Sequence, residues 1–180
     1  MSKLFVISGS SGVGKGTVIK EFLKRNPEFK LSVSCTTRKP RAGEVHGENY
    51  FFLSREDFET CIEKNEFLEW AEFSGNLYGT QRPYIEEKLS QGKKLILEID
   101  TQGALNVKKI IPESVLIFIL PPSFEELEAR LRGRHTETEE AIQKRLASTK
   151  SELENSKYFD YEVINDSIEN AVQKLEEIMK

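Results

Sequence analysis

The sequence is poor in the features that mark secreted, membrane-bound or disulfide-stapled proteins. Its 180 residues include only two cysteines, Cys35 and Cys61, which lack the paired spacing of a metal site and which we expect to be free thiols. No apolar stretch approaches the ~20 residues that a membrane span needs, and the N-terminus has no signal-peptide pattern. We therefore expect a soluble, cytoplasmic protein with no membrane partner.

An excess of positive charge is also missing. Lysine and arginine total 26 against 30 aspartates and glutamates, which gives a net charge of −4. A chain of this charge is a poor non-specific binder of nucleic acid, so we expect no nucleic-acid partner. The length suits one domain with a substantial core and room for inserted subdomains. Composition leaves the choice between a monomer and a homodimer open.

A glycine-rich segment follows the first apolar run, residues 4–7, and precedes a stretch with helical spacing. In this order the glycines can turn successive backbone N–H groups inward, and the helix N-terminus that follows favours an anion. Lys15 adds a mobile charge that can reach the outer phosphates of a nucleotide. The segment therefore predicts a polyphosphate site, with a chance glycine-rich turn as the alternative. The candidate ligands of the donor nucleotide are Gly9, Ser11, Gly12, Val13, Gly14, Lys15, Gly16 and Thr17.

The segment departs from the strict pattern G-x-x-x-x-G-K-[ST] at its last position. Gly16 follows Lys15, and the first hydroxyl comes at Thr17, about 100° further around the helix. Thr17 is therefore a weaker candidate for binding magnesium, an ion that commonly keeps several waters and binds mainly through substrate phosphates. Adenylate kinases contain the same G-K-G-T sequence, so the variant is compatible with phosphoryl transfer.

Nearly continuous apolar runs alternate with segments of helical spacing. The runs at 4–7, 95–99 and 115–120 are typical of parallel strands that are covered on both faces. This alternation predicts an α/β fold with a mainly parallel core sheet. The predicted helices cover residues 15–25, 83–91, 103–110, 124–132, 139 to about 156, and 168–179.

Residues 31–80 have a different pattern. Short strands are predicted at 50–53 and 67–73, and Ser54 resembles a helix cap with an acidic residue three positions later. We interpret this region as a small mixed subdomain inserted into the core fold.

The stretch from Thr36 to Phe52 concentrates cations. Arg38, Lys39 and Arg41 surround Pro40, and three cations so close together repel one another unless an anion lies between them. A solvated basic loop is the alternative. Because a phosphate cradle is already predicted elsewhere, a second phosphate clamp is the better hypothesis, and arginine suits it through its planar pair of donors.

The same stretch contains the pattern T-T-R-x-x-R-x-x-E-x-x-G-x-x-Y-x-F, which closely resembles the signature of guanylate kinases. The resemblance continues through residues 66–70, 78–80, 98–103, 133–134 and 163–166, so it covers essentially the whole chain. It implies transfer of the γ-phosphoryl group of ATP to GMP with magnesium, which gives ADP and GDP.

The resemblance also implies a P-loop nucleoside-monophosphate-kinase-like fold with three layers. A core of residues 1–30, 81–125 and 156–180 would contain the mainly parallel sheet. A small mixed α+β subdomain, 31–80, would bind GMP, and a helical lid, 126–155, would close over ATP.

The resemblance implies that the phosphate of GMP is held by four residues, Arg38, Arg41, Tyr50 and Tyr78. Two fixed cations neutralise a dianion, and two phenols add donors without further charge. Packing within a mixed sheet is the alternative role for the two tyrosines.

Glu69 would read the guanine base. Guanine presents N1–H and its 2-amino group side by side, which suits a carboxylate, whereas adenine presents an acceptor at N1. Ser34 and Thr80 could donate their hydroxyls to the guanine carbonyl, with plain turn or strand roles as the alternative.

Glu98 and Asp100 lie two residues apart at the end of a predicted strand, so we expect their side chains to share a face. Ligands of open α/β sheets bind beyond the carboxyl ends of the strands, which puts Asp100 at the active site. It would orient magnesium-bound water or contact GMP, and both roles stay open.

Family members use arginines on a mobile lid, which correspond to Arg130, Arg134 and Arg145 here. Salt bridges to nearby glutamates are the alternative. Asn165 would lie near the adenine of ATP. The residues assigned to catalysis are Lys15, Arg38, Asp100, Arg134 and Arg145.

Two rival functions stay open. A kinase for another nucleoside monophosphate would need a different base pocket, against which Glu69 and Thr80 argue. A guanylate-kinase-like protein-binding module would show no turnover, and such modules tend to have damaged phosphate loops.

Overall fold

The computed structural model describes residues 3–10, 12–73, 75–133 and 139–180. A short 3₁₀ turn, Ser156–Tyr158, lies between the sixth helix and the ninth strand. In chain order the helices and strands are β1 (Lys3–Gly9), α1 (Lys15–Arg25), β2 (Phe29–Leu31), β3 (Cys35–Thr36), β4 (Phe51–Phe52), α2 (Arg55–Glu63), β5 (Phe67–Phe73), β6 (Asn76–Gln81), α3 (Arg82–Ser90), β7 (Lys94–Glu98), α4 (Thr101–Ile110), β8 (Val115–Leu120), α5 (Phe124–Arg132), α6 (Glu139–Glu154), β9 (Tyr161–Ile164) and α7 (Ile168–Met179).

The larger sheet has the strand order β2-β7-β1-β8-β9, and every neighbouring pair in it is parallel. Successive side chains of β1 alternate between its two faces. Phe5 and Ile7 pack in a cluster with residues of α1 and α7, whereas Leu4 and Val6 pack in a second cluster with residues of α3 and α4. The sheet therefore lies between two layers of helices, and the predicted three-layer α/β fold is confirmed.

The smaller sheet has the order β4-β3-β6-β5 and is mixed. β3 pairs in parallel with β4, and β6 pairs antiparallel with both β3 and β5. Its core is formed by Cys35, Phe58, Phe67 and Leu77, so α2 covers one face of the sheet. Cys35 and Cys61 are both free thiols.

Most of the predicted elements lie where the sequence pattern indicates. The helices at 15–25, 124–132 and 168–179 and the strand at 67–73 have the predicted bounds. Four short strands, β2, β3, β6 and β9, escape the pattern because they carry little continuous apolar sequence. β2, for example, buries Phe29 but exposes Lys30 and Leu31. β2 and β9 pair with strands that are distant in sequence, whereas β6 pairs with the preceding strand β5 as well as with β3.

Helix ends follow local capping chemistry. Ser54 caps α2, and its Oγ accepts a hydrogen bond from the backbone N–H of Asp57 at 3.0 Å, as predicted. α4 begins two residues earlier than predicted because Asp100 caps it. In the described part of the chain, no helix combines the length and apolar character needed to cross a membrane.

Candidate active site

The glycine-rich loop links the end of β1 to the start of α1. Gly12 and Gly14 have φ angles of 85° and 88°, a left-handed conformation that L side chains adopt at a cost. A Cβ on Gly12 would also lie 2.7 Å from Cδ2 of Leu131. Gly14 is the N-cap of α1, so the loop delivers the chain directly to the positive end of a helix. Ser11, one of the predicted ligands, lies outside the described residues.

Asn165 contacts this loop through a buried hydrogen bond. Its side chain is 6% exposed, and Nδ2 donates a hydrogen bond to the backbone oxygen of Val13 at 2.7 Å. The same Nδ2 atom lies 2.9 Å from the point where a Cβ of Gly14 would be. The side chain of Val13 is fully buried, so its contribution to the loop surface is its backbone. The predicted contact of Asn165 with adenine stays a prediction, while its contact with the loop was not foreseen.

Lys15 lies where two cavities meet. One, of about 400 Å³, follows the loop, and the other, of about 460 Å³, extends towards the smaller sheet; Lys15 and Glu98 line both. Loss of hydration lowers the pKa of Lys15, while Glu98, Glu152 and Asp100 counteract that shift. The loop cavity is lined by Ser10, Gly12, Gly14, Lys15, Gly16, Thr17 and Glu98. The larger cavity is lined by Gly9, Lys15, Ser34, Tyr50, Glu69, Ala71, Tyr78, Gly79, Glu98, Ile99, Asp100, Thr101 and Glu152.

Oxygen donors suited to magnesium lie beside Lys15. Thr17 is exposed to the loop cavity, and Glu98 Oε1 lies 3.6 Å from the position that a Cβ of Gly16 would occupy. Among the described residues, no group of three or more histidine, cysteine or acidic side chains could hold a metal by itself. That donor set fits Mg²⁺ in a kinase, where one or two protein oxygens supplement substrate phosphates and water.

Asp100 has a structural role in addition to the predicted one. β7 ends at Glu98, and Asp100 is the N-cap of α4, where its Oδ1 accepts a hydrogen bond from the N–H of Gly103 at 2.7 Å. The expectation that Glu98 and Asp100 share a strand face is therefore wrong, because the strand ends before Asp100. Both side chains nevertheless line the larger cavity.

Glu69 is a buried carboxylate that lines the larger cavity. It is 8% exposed, and the hydroxyl of Thr80 donates a hydrogen bond to its Oε1 at 2.6 Å. A Cβ on Gly103 would lie 2.8 Å from its Oε2, so α4 approaches the carboxylate closely at a glycine. Burial raises the pKa of Glu69 to about 7, and the negative charge of Asp100 adds to that effect. The carboxylate therefore exists in both protonation states near neutral pH.

The predicted phosphate-binding residues are only partly brought together. Tyr50 and Tyr78 line the larger cavity together with Ser34, and their ring centroids lie 6.2 Å apart. The guanidinium carbon of Arg38 lies 5.4 Å from the centroid of the Tyr50 ring. Arg38 does not line the cavity, and the side chain of Arg41 is exposed outside it.

The structure does not describe the side chains of the three predicted lid arginines. Arg134 lies outside the described residues, and Arg130 and Arg145 belong to α5 and α6 without a description of their side chains. The two helices pack through Leu127, Leu131, Ile142 and Leu146.

Two further charged residues, Arg132 of α5 and Glu152 of α6, were given no role in the sequence-based predictions. Arg132 is paired with Glu128 and Glu139. Glu152 lines the larger cavity near Lys15. Glu128 lies four residues before Arg132 on the same helix, which is a local signal, whereas Glu152 is distant in sequence from Lys15.

Replacing Glu69 with glutamine should make the protein more stable at pH 8 than at pH 5, relative to wild type. Above its folded pKa of about 7, Glu69 is ionised in both states and its burial penalty is complete. Between about pH 4.5 and 7 the folded state retains a proton that the unfolded chain releases, so wild-type stability falls as the pH rises. Glutamine can keep its carbonyl towards Thr80 and does not titrate.

Thermal unfolding between pH 5 and pH 8 tests this, and roughly 2–4 °C of Tm is expected per kcal/mol for a chain of this length. The matched control is Glu72→Gln, an exposed carboxylate on the same strand. A difference in Tm between Glu69→Gln and wild type that does not change with pH would contradict the raised pKa of Glu69.

The chain as a whole is similar to known proteins. Residues 1–180 match the family model for guanylate kinase. The guanylate kinase of Halalkalibacterium halodurans is 53% identical over 176 residues, which cover 98% of this chain and 86% of that protein. The guanylate kinase of Prochlorococcus marinus is 52% identical over 177 residues, which cover 98% of this chain and 96% of that protein.

Solved structures agree with this similarity. The crystal structure of guanylate kinase from Anaplasma phagocytophilum has a TM-score of 0.78 at 32% identity, covering 98% of this chain and 84% of that chain. Shikimate kinase from Bacteroides thetaiotaomicron has a TM-score of 0.54 at 15% identity, covering 98% of this chain and 97% of that chain, which shows a shared fold alone. With a family match over its full length and relatives more than half identical to it, the chain belongs to the guanylate kinase family.

Proposed function

We propose that the protein transfers the γ-phosphoryl group of ATP to GMP, with Mg²⁺ as cofactor, and releases ADP and GDP. Its partners are these two nucleotides, and it acts in the cytoplasm as a monomer or a homodimer. One observation carries the proposal. The cavity along the glycine-rich loop and the larger cavity, which Glu69 lines, share Lys15 and Glu98, and the amine of Lys15 supplies the cation between them. With ATP in the loop cavity and GMP in the larger cavity, the reacting phosphates would meet beside Lys15.

The donor side is supported by the loop and its helix. The backbone N–H groups around Gly12 and Gly14 and the N-terminus of α1 suit the β- and γ-phosphates of ATP. Lys15 would neutralise charge on the phosphoryl group as it moves between nucleotides. Its lowered pKa reflects a partly dehydrated site, where a cation attracts phosphate more strongly than in water.

Magnesium, when bound, would offset charge on the ATP phosphates. Thr17 is the candidate for a direct contact, and Glu98 and Asp100 are candidates for contact through water. Thr17 lines the loop cavity, Asp100 lines the larger cavity, and Glu98 lines both.

The acceptor side explains a preference for guanine. The carboxylate of Glu69 would accept hydrogen bonds from N1–H and the 2-amino group, while Thr80 fixes one of its oxygens. Adenine would turn an acceptor towards a buried carboxylate, and an unpaired buried group of this kind can give discrimination on the order of 10⁴. Because the guanine donors favour the ionised carboxylate, GMP binding should weaken as the pH falls below about 7.

The phosphate of GMP would bind between the tyrosines of the larger cavity and the basic loop. Tyr50, Tyr78 and Arg38 are already adjacent. Arg41 would have to turn inward from its exposed position, which is consistent with a change of shape when the nucleotide binds.

Residues 31–80 would move as the GMP-binding subdomain and residues 126–155 as the lid, relative to the remaining core. Closure would bring Arg130, Arg134 and Arg145 towards ATP and exclude water, which otherwise competes with GMP for the phosphoryl group. Asn165 would keep the loop in shape beneath the adenine.

A coupled assay of ADP release with ATP and Mg²⁺ tests the proposal, with GMP, AMP, CMP and UMP offered separately. Turnover with GMP alone is the expected result. Turnover with another monophosphate would refute the guanine pocket, and no turnover from folded protein would favour a protein-binding module.

Lys15→Ala should reduce kcat by about 10²–10³, the loss typical of removing one electrostatic contact to the transition state. The Tm of the variant should stay close to that of wild type, because Lys15 lines the cavities and does not belong to the apolar core. Lys20→Ala, an exposed lysine on the same helix, is the matched control and should retain full turnover. Equal activity of the two variants would remove Lys15 from the catalytic machinery.

Gly103→Ala should raise KM for GMP roughly tenfold, because the new methyl group forces Glu69 Oε2 away from a distance of 2.8 Å. KM for ATP should stay within a factor of two. The helix itself should not suffer, since alanine is about 1 kcal/mol better than glycine inside a helix. Gln102→Ala, at the exposed neighbouring position, is the control, and an unchanged KM for GMP in Gly103→Ala would contradict a base-reading role for Glu69.

A further inference from the structure

Glu44 belongs to the basic stretch between β3 and β4, and the proposed function assigns it no role. Its carboxylate accepts three hydrogen bonds. Arg38 Nη1 donates to Oε2 at 3.0 Å, Arg38 Nη2 donates to Oε1 at 2.8 Å, and the backbone N–H of Arg41 donates to Oε2 at 2.7 Å. The N–H of Glu44 in turn donates to the backbone oxygen of Arg41 at 3.0 Å. The loop therefore folds around this one carboxylate.

The pair of Glu44 with Arg38 differs from an ordinary surface ion pair. Its side chains are 15% exposed for Arg38 and 19% for Glu44. The corresponding values for Arg55 and Glu59, on helix α2, are 53% and 52%. A bidentate pair that is partly withdrawn from water holds its geometry better than an exposed single contact. The hydrogen bond from Arg38 also holds the pKa of Glu44 below its usual value, so the carboxylate stays ionised to a lower pH than an isolated glutamate would.

Other contacts fix the remaining freedom of Arg38. Its Nη1 also donates to the backbone oxygen of Lys39 at 2.8 Å. Its guanidinium carbon lies 5.4 Å from the ring centroid of Tyr50 and 5.9 Å from that of Phe52. Glu44 thus occupies the Nη1–Nη2 edge, and two aromatic rings lie near the guanidinium. The second planar pair of donors of a guanidinium is its Nε–Nη2 edge.

We propose that Glu44 is a positioning residue, which clamps Arg38 by one edge and thereby directs its Nε–Nη2 edge towards the phosphate of the acceptor nucleotide. This inference rests on the proposed function, since it takes GMP as the acceptor. Because Glu44 and the phosphate use different edges, the carboxylate prepares the site instead of competing for it. The ordering of a long side chain is then complete before GMP binds, which leaves more of the contact energy for affinity.

Glu44→Gln should weaken GMP binding about tenfold, because a neutral amide cannot accept from both Nη atoms and Arg38 loses its fixed orientation. Calorimetric titration with GMP in the absence of ATP measures this, and KM for ATP should stay within a factor of two. Glu59→Gln, which breaks the exposed pair with Arg55, is the matched control and should bind GMP as wild type does. Tighter GMP binding by Glu44→Gln would show competition and overturn the proposal.

A double-mutant cycle with Arg38→Met separates positioning from a general effect on folding. In the Arg38→Met background, Glu44→Gln should change GMP affinity less than about twofold, because the group that it positions is gone. Additive losses would overturn the proposal. Should Glu44→Gln fail to fold, Glu44→Asp decides: it keeps the charge but shortens the reach, so GMP binding between wild type and Arg38→Met supports positioning, and wild-type binding opposes it.

Failure of the proposed function has a different signature. Wild-type protein without GMP-dependent ADP release would refute that function whatever the Glu44 variants do. Wild-type turnover with an unchanged GMP affinity in Glu44→Gln would refute the positioning role alone.

Discussion

The parallel pairing of β1 with β7 is the constraint on which the candidate site depends. Ile7 lies opposite Glu98 in this register, so both strands end at the same edge of the sheet. The glycine-rich loop leaves β1 at this edge, and the capped N-terminus of α4 begins beside it. A shift of register by one residue would turn every side chain to the opposite face and separate the loop from Glu98. The apolar runs of β1 and β7, buried on both faces, fix the register.

Carboxylates offset the positive charge of two cations of this site. The charges of Glu98, Glu152 and Asp100 oppose the lowering of the Lys15 pKa by burial, and Glu44 forms a bidentate ion pair with Arg38. A cluster of bare cations would repel itself and destabilise the fold, whereas paired cations can be held at fixed positions. The arrangement agrees with a chain that binds polyanions and yet has a net charge of −4. Local pairing, and not overall charge, shapes the field that a phosphate meets.

The sequence was sufficient to predict the family and the layered fold, both of which are confirmed, because these depend on local patterns in a fixed order. Glu69 and Thr80 were predicted to serve the same base, and they form one hydrogen bond. What escaped prediction depends on contacts between residues distant in sequence. Asn165 reaches Val13 across 152 positions, and the short strands exist only through their neighbours. The roles of the individual site residues stay predictions, since no nucleotide geometry follows from a sequence pattern.

The proposed base-reading role of Glu69 conflicts with the stability of the fold. A carboxylate that is 8% exposed and has a pKa near 7 makes the folded protein less stable than a neutral side chain would. A glutamine would remove that penalty but would present an amide, with one acceptor fewer, to the two donors of guanine. Thr80 supports one oxygen, and Gly103 leaves room for the other without contributing a donor of its own side chain. We propose that a guanine base donates its N1–H and 2-amino hydrogens to this carboxylate, to which Thr80 already supplies one donor. In the proposed role, the stability that burial of this carboxylate costs would be offset by selectivity for GMP.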